Sequence, residues 1–247
     1  MLLTAALQET LPSFELERGD RTIRVQQTAT DAEGGIFAQR SGCRTEGKSL
    51  TTVYAPAPNL VETTIADTVI TSNIVLREQP SGDQDAAVLE HIAGTLEFDE
   101  ESFCPAEIEP SGKPDVTLRQ GRTTIHGTSF TYDNATGVGV MAGPVDLTRQ
   151  PEDGVEELTA TADALEFNVD ENSTLLTGNV QITSGDRRSE ASTVDYDEAA
   201  GFAVLRGDPA VSRLGQDVVE GRIIEYDLNT NDVVVMQGVR ASFEFER

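Results

Sequence analysis

Basic residues are scarce in this chain: 18 Lys and Arg stand against 43 Asp and Glu in 247 residues, a formal net charge of −25. Lysine is almost absent, with only Lys48 and Lys113. Such a surface lacks the cationic face that a sequence-independent nucleic-acid binder needs to displace counterions from phosphates. It equally lacks a polybasic patch for docking on an anionic membrane. By itself the acidity denotes a solvated, self-repelling surface.

Long apolar runs are missing as well. Apolar residues make up 38% of the chain but fall in short alternating runs, and none approaches the ~20 residues of a membrane-spanning helix. The opening MLLTAALQET is apolar only from Met1 to Leu7, with no basic residue before it. That is too short for a secretory signal peptide yet compatible with the tail of one. Residues 1–13 are therefore expected to be a disordered or signal-remnant segment.

Cysteine and histidine number two each, at Cys43, Cys104, His91 and His126. They form no CxxC pair and no Cys/His cluster, so neither a metal site nor a cofactor is expected. Cys43 and Cys104 are read as one disulfide made in an oxidising compartment, the alternative being two unrelated thiols.

Catalytic constellations are lacking too. GxSxG does not occur, and the nearest stretch, HGTSFTYD from His126, lies on a strand pattern. His126 and His91 read as ordinary strand residues. The acidic clusters FDEES (98–102) and NVDEN (168–172) lack the alternating oxygen ligands, central Gly and distal Glu of a calcium loop. An acid pair for glycoside hydrolysis would need a cleft that sequence does not reveal. The chain is read as non-enzymatic.

What is present is a repeat. The segments are FTYDNATGVGVMAGPV from Phe130, LEFNVDENSTLLTGNV from Leu165, VDYDEAAGFAVLRGDP from Val194 and IEYDLNTNDVVVMQGV from Ile224. Each opens with an apolar residue, any residue, then an aromatic: Tyr132, Phe167, Tyr196 and Tyr226. A turn-former follows at once (Asp133, Asn168, Asp197, Asp227). Five residues past the aromatic stands Gly137, Asn172, Gly201 or Asn231, the residue types that accept φ > 0 in a hairpin loop. Gly143, Gly178, Gly207 and Gly238 then stand 11, 11, 11 and 12 residues after their aromatics. The glycines of GVGVMAGPV (137–145) thus belong to a strand–turn–strand unit recurring about every 30 residues. No helical period follows them, which excludes a phosphate loop.

Alternation of period 2 assigns the faces. In TLLTGNVQIT (174–183), Leu176, Gly178, Val180 and Ile182 share one side, while Leu175, Thr177, Asn179, Gln181 and Thr183 take the other. The same parity places Phe130, Tyr132, Leu165, Phe167, Val194, Tyr196, Ile224 and Tyr226 inside. Met141, Leu205 and Met236 are the counterparts of Leu176, although both faces of VVVM (233–236) are apolar. A glycine recurring within the second strand suggests a bend or close backbone approach.

These repeats resemble the OstA-like domain of the LptA family. The resemblance is carried by LTATADALEFNVDENSTLLTGNVQITSGDRRSEASTVDYDEAAGFAVLRGDPAV (158–211) and by a further copy, VEGRIIEYDLNTNDVVVMQGV (219–239). It covers about 123–247 and fades towards AGTLEFDEE (93–101). It implies an all-β fold, an elongated twisted β-jelly roll of repeated antiparallel strand–turn–strand units. It also implies a periplasmic protein that carries lipopolysaccharide, or a related glycolipid, from an inner-membrane complex to an outer-membrane translocon. The inner-face residues named above would then line a lipid groove. Copies would join head to tail through edge strands, here around 14–27 and 233–245. Few basic residues are left for lipid phosphates; Arg187, Arg188, Arg206, Arg213 and Arg222 are the candidates, or else solvated turn residues. The alternative within another class is a structural β-repeat or solenoid envelope protein without a lipid.

The expected organisation is a divergent half of the jelly roll over 14–115, continuous with regular repeats over 116–247. In the first half FELERGDRTIRV (14–25) reads as a hairpin about Gly19-Asp20. TTIADTVITSNIVLRE (63–78) reads as one long strand or two short ones, and Ala86 to His91 as a helix-like turn. PSGDQDAAVLE (80–90) and PAEIEPSGKPD (105–115) are insertions relative to a compact family member.

Overall fold

The computed structural model describes residues 13–18, 21–28, 38–45, 47–83, 85–151, 156–171, 173–197, 200–230, 232–238 and 240–242. Its elements in the first half are β1 (Ser13–Arg18), β2 (Arg21–Gln27), β3 (Ala38–Thr45), β4 (Lys48–Tyr54), β5 (Val61–Ile65), β6 (Thr68–Ser72) and β7 (Ile74–Pro80). There follow β8 (Val88–Ile92), β9 (Gly94–Phe98), β10 (Pro105–Pro110), β11 (Val116–Gln120), β12 (Thr123–Gly127) and β13 (Ser129–Asp133). The second half holds β14 (Val138–Arg149), β15 (Leu158–Asn168), β16 (Ser173–Ser184) and β17 (Arg187–Asp197). It closes with β18 (Phe202–Leu214), β19 (Asp217–Asp227), β20 (Val233–Gln237) and β21 (Arg240–Ser242). The fold is all-β, and every pairing is antiparallel.

Two layers emerge from the pairing. Layer I runs β1-β2-β5-β6-β11-β12 and continues through the C-terminal half of β14, the N-terminal half of β15, and so on alternately to β19 and β21. Layer II runs β3-β4-β7-β8-β13 and continues through the complementary halves of β14 to β19, ending on β20. The long strands therefore cross from one layer to the other, and one apolar core drawn from both layers lies between them.

The crossing explains the recurrent glycines. Register shifts interrupt the ladders at Ala142/Val145 in β14, Thr177/Val180 in β16 and Arg206/Ala210 in β18. Gly143, Gly178 and Gly207 stand inside these bulges. Gly178 has φ +75°, and Gly238, at the β20–β21 bend, has φ +70°; both conformations favour a residue without Cβ. In the first half the same crossing is made by broken strands. A single residue, Asn73, separates β6 from β7, and Thr128 separates β12 from β13. Asn73 fixes its corner by a reciprocal pair with Gly94: its Nδ2 donates to the Gly94 carbonyl at 2.6 Å, and its Oδ1 accepts from the Gly94 N–H at 2.9 Å.

The loops at the other strand ends follow the turn-formers. Oδ1 of Asp133 accepts from the N–H groups of Ala135 and Thr136, and Oδ1 of Asp227 from those of Asn229 and Thr230. Asn168 does the same for Asp170 and Glu171. Gly137 and Gly201 take φ +74° and +76°. Asn172 and Asn231 lie outside the described residues.

Two local expectations are corrected. Residues 61–72 form a tight hairpin, β5–β6, turning at Ala66-Asp67 with Ala66 at φ +53°, so that with β7 the run 63–78 is divided among three strands, not one or two. Ala86 to His91 holds no helical turn: its second part is β8, paired with β7 and β13. The insertion at 105–115 contributes β10, which with β9 forms a separate two-stranded ribbon. Leu96, with Phe98 and Ile108 packed beside it, covers Ile74 and Ile92 on the outer face of layer II. Cys104, at the start of this ribbon, is disulfide-bonded to Cys43 of β3.

Candidate functional site

The interior is ordered in rows. Across layer II, Phe130, Met141, Leu165, Leu176, Val194, Leu205 and Ile224 are successive register partners, and all are buried. The next row outwards is Tyr132, Gly139, Phe167, Thr174, Tyr196, Ala203 and Tyr226. Large and small residues alternate here, so each ring of the repeat packs between strands that carry little side chain. Facing them on layer I are Val145, Leu147, Ala160, Ala162, Val180 and Ile182, also buried. The interior is filled by its own side chains.

Met236 is not among them. It is 59% exposed, and its place in the inner row is taken by Val235, the partner of Ile224. The ladder shifts between Ile223 and Ile224, leaving Met236 as the extra residue of a bulge. An all-apolar run had concealed that shift of parity.

His91 extends the inner row as the partner of Phe130, with ring centroids 5.9 Å apart. Burial pushes its pKa down to about 3, so it is neutral at physiological pH. Nδ1 stands 3.3 Å from the Ser72 hydroxyl, and Nε2 has no hydrogen-bond partner among the described residues. His126 lies on β12 beside the Thr117 hydroxyl, 3.1 Å away.

Polarity rises along the outermost row of layer I. Thr123, Arg149, Leu158, Ser184 and Arg187 are consecutive partners at the hairpin ends of their strands. Arg149 is 1% exposed and Arg187 8%. The tyrosines of layer II reach this row from across the core. The Tyr196 and Thr123 hydroxyls are 3.4 Å apart, and the Tyr226 hydroxyl is hydrogen-bonded to the Ser184 side chain. Burial raises the Tyr226 pKa, while the Ser184 bond and the Arg187 and Arg149 charges work against that rise and Glu156 adds to it. Arg187 also donates from Nη1 to Ser212 Oγ at 3.2 Å, and Ser189 Oγ donates to the same oxygen at 3.0 Å. A polar seam thus lies along the edge of the core opposite the glycine bends.

Of the five arginines named from sequence, only Arg187 enters this seam. Arg188 is exposed. Arg206 pairs with Asp195, Arg213 with Glu190 at 3.0 Å and Arg222 with Asp208 at 4.0 Å, all on the surface. Arg149 was missed. The alternation Val145, Leu147, Arg149 carries it inward and was the available signal.

At the ends of the assembly, β1 and β3 each have one partner strand, and so do β20 and β21. Each layer therefore presents an open edge at both ends among the described residues. β2, inside the stretch expected to be an edge, is flanked by β1 and β5.

Two bent layers around one apolar core, made by strands that cross at glycine bulges, define a β-jelly roll of the OstA-like kind. Residues 113–232 match the family described as LptA/(LptD N-terminal domain) LPS transport protein. Just under half of the chain is thus similar to the LptA/OstA-like domain of this lipopolysaccharide-transport family. Among solved structures it is similar to LptH, the LptA-homologous periplasmic component of the conserved lipopolysaccharide transport device from Pseudomonas aeruginosa. The two share 17% identity and a TM-score of 0.42, over 49% of this chain and 94% of that one. No curated protein sequence matches.

Proposed function

We propose that this protein is a non-enzymatic, periplasmic lipid-binding bridge. It carries lipopolysaccharide, or a related outer-membrane glycolipid, from an inner-membrane complex to an outer-membrane translocon, with acyl chains in the interior between the layers. The observation that carries the reading is the continuous apolar row from Phe130 to Ile224 and on to Val235, all but its last member within the residues that match a lipopolysaccharide-transport family. Each methylene moved from water into such an interior is worth about 0.8 kcal/mol, so ten supply about 8 before ordering costs. The open edges at β1, β3, β20 and β21 suit end-to-end joining of copies by strand addition.

One observation favours a second reading: an interior filled by its own side chains also suits a structural β-repeat protein. Gel filtration of the purified protein with lipopolysaccharide separates the two. Co-elution of lipid with folded protein is expected of a carrier, and protein that elutes free of lipid would favour the structural role.

A further inference from the structure

The topology limits where a filled interior can open. On one side β14, β15, β16, β17, β18 and β19 pass covalently from layer to layer, so the layers cannot part there without breaking strands. On the opposite side no described strand crosses, and the contacts between the layers run through side chains, among them Tyr196–Thr123, Tyr226–Ser184 and the Asn134 Nδ2 donation to the Glu17 carbonyl at 3.4 Å. Individual contacts of this kind contribute about 1 kcal/mol each. Away from the two ends of the roll, this second side is where a ligand long enough to lie along the core can enter.

The chemistry of that edge also selects the ligand. In a chain with a net charge of −25, two arginines are nearly buried within one row of layer I, flanked by serine, threonine and tyrosine hydroxyls. A guanidinium at the border of an apolar core is matched by an anionic group attached to an apolar body, and its planar fork suits phosphate. Glu156, which acts electrostatically on the same Tyr226, is the neighbouring carboxylate that an incoming anion would compete with.

We infer that the Tyr–Arg seam is a latch, at which an acylated phosphate-bearing amphiphile enters, and whose Arg149 and Arg187 then hold its phosphate at the mouth of the core. This rests on the lipid-carrier reading and adds the route of entry and the headgroup site. Opening replaces the tyrosine hydrogen bonds with lipid contacts, and the acyl chains take the place of side-chain packing between the rows.

Two measurements test it on the full chain, whose two cysteines are already paired. In the first, Thr123→Cys and Tyr196→Cys are combined, and the thiols are bridged with a short bifunctional thiol reagent. The unbridged variant has lost a latch contact and should take up purified lipopolysaccharide faster than the native chain; bridging should abolish uptake. Equal uptake with and without the bridge overturns the latch. If the native chain itself takes up no lipopolysaccharide, it is the carrier reading that fails.

The second measurement compares lipopolysaccharide with its enzymatically dephosphorylated form. Arg187→Gln should weaken binding of the phosphorylated lipid about tenfold, the scale of one charge-assisted contact, and leave the dephosphorylated lipid unaffected. Arg187→Lys, which keeps the charge, should recover part of the loss and serves if the glutamine variant folds poorly. Equal weakening towards both lipids, or none towards either, overturns the phosphate site.

Discussion

The ring of Phe130 lies where a side chain at position 139 would begin. The two residues sit on adjacent strands, β13 and β14, and a Cβ on Gly139 would overlap the Phe130 ring edge. Gly139→Val should therefore destabilise the protein by about 1–3 kcal/mol, the usual range for overpacking. Phe130→Leu in the same chain should recover part of that loss. Chemical denaturation of the single and double variants measures both, and additive effects would contradict the contact.

Leu205 and Met236 occupy corresponding places in two repeats but opposite environments. Leu205 is fully buried, whereas Met236 is exposed in a bulge. Leu205→Ala should lower stability by about 2–5 kcal/mol. Met236→Ser should change it by less than about 0.5 kcal/mol. Similar losses for the two would put Met236 back in the core.

The disulfide between Cys43 and Cys104 spans 61 residues and ties β3 to the outer ribbon. Closing a loop of that length restricts the unfolded chain by about 4 kcal/mol in the chain-entropy account. Replacing both cysteines by serine should lower the thermal midpoint by several degrees. An unchanged midpoint would show that the ribbon holds its place by packing alone.

His91 makes stability depend on pH. Its folded pKa of about 3 lies below the ordinary 6.5 because burial penalises the imidazolium. Unfolding therefore takes up a proton between those values, and the contribution is complete above about pH 6.5 and lost progressively as pH falls towards about 3. The full span is on the order of 5 kcal/mol. Glu90 acts in the opposite sense, its pKa raised by burial and by Glu78. His91→Leu should flatten the acid limb of stability against pH relative to the native chain. Parallel curves for the two proteins would show that His91 is not the titrating group.

The repeats were legible because one pattern recurs in order. Aromatic, turn-former, left-handed residue and glycine mark the strand, the loop and the bend, and each has a physical cause seen in the structure. Legibility failed where that punctuation is absent. Ala66-Asp67 turns a hairpin without glycine or asparagine at the left-handed position, so the pattern over 63–78 left open whether one strand or two stood there. Met236 lies in a run with both faces apolar, where a bulge leaves no trace in the pattern. Arg149 was passed over because a charged residue beside a turn reads as solvated; only the alternation through Val145 and Leu147 points it inward. Contacts across the core, such as Tyr196 with Thr123, join residues 73 apart and follow from how the layers face each other, not from local sequence.

The most direct test of lipid carriage is site-specific photo-crosslinking to purified lipopolysaccharide, with the probe at Leu176 and separately at Gln181. Leu176 is 1% exposed in the inner row of β16, and Gln181 points outward on the same strand. The account predicts labelling at 176 and none at 181. Equal labelling at both, or none at 176 in folded protein, would contradict it.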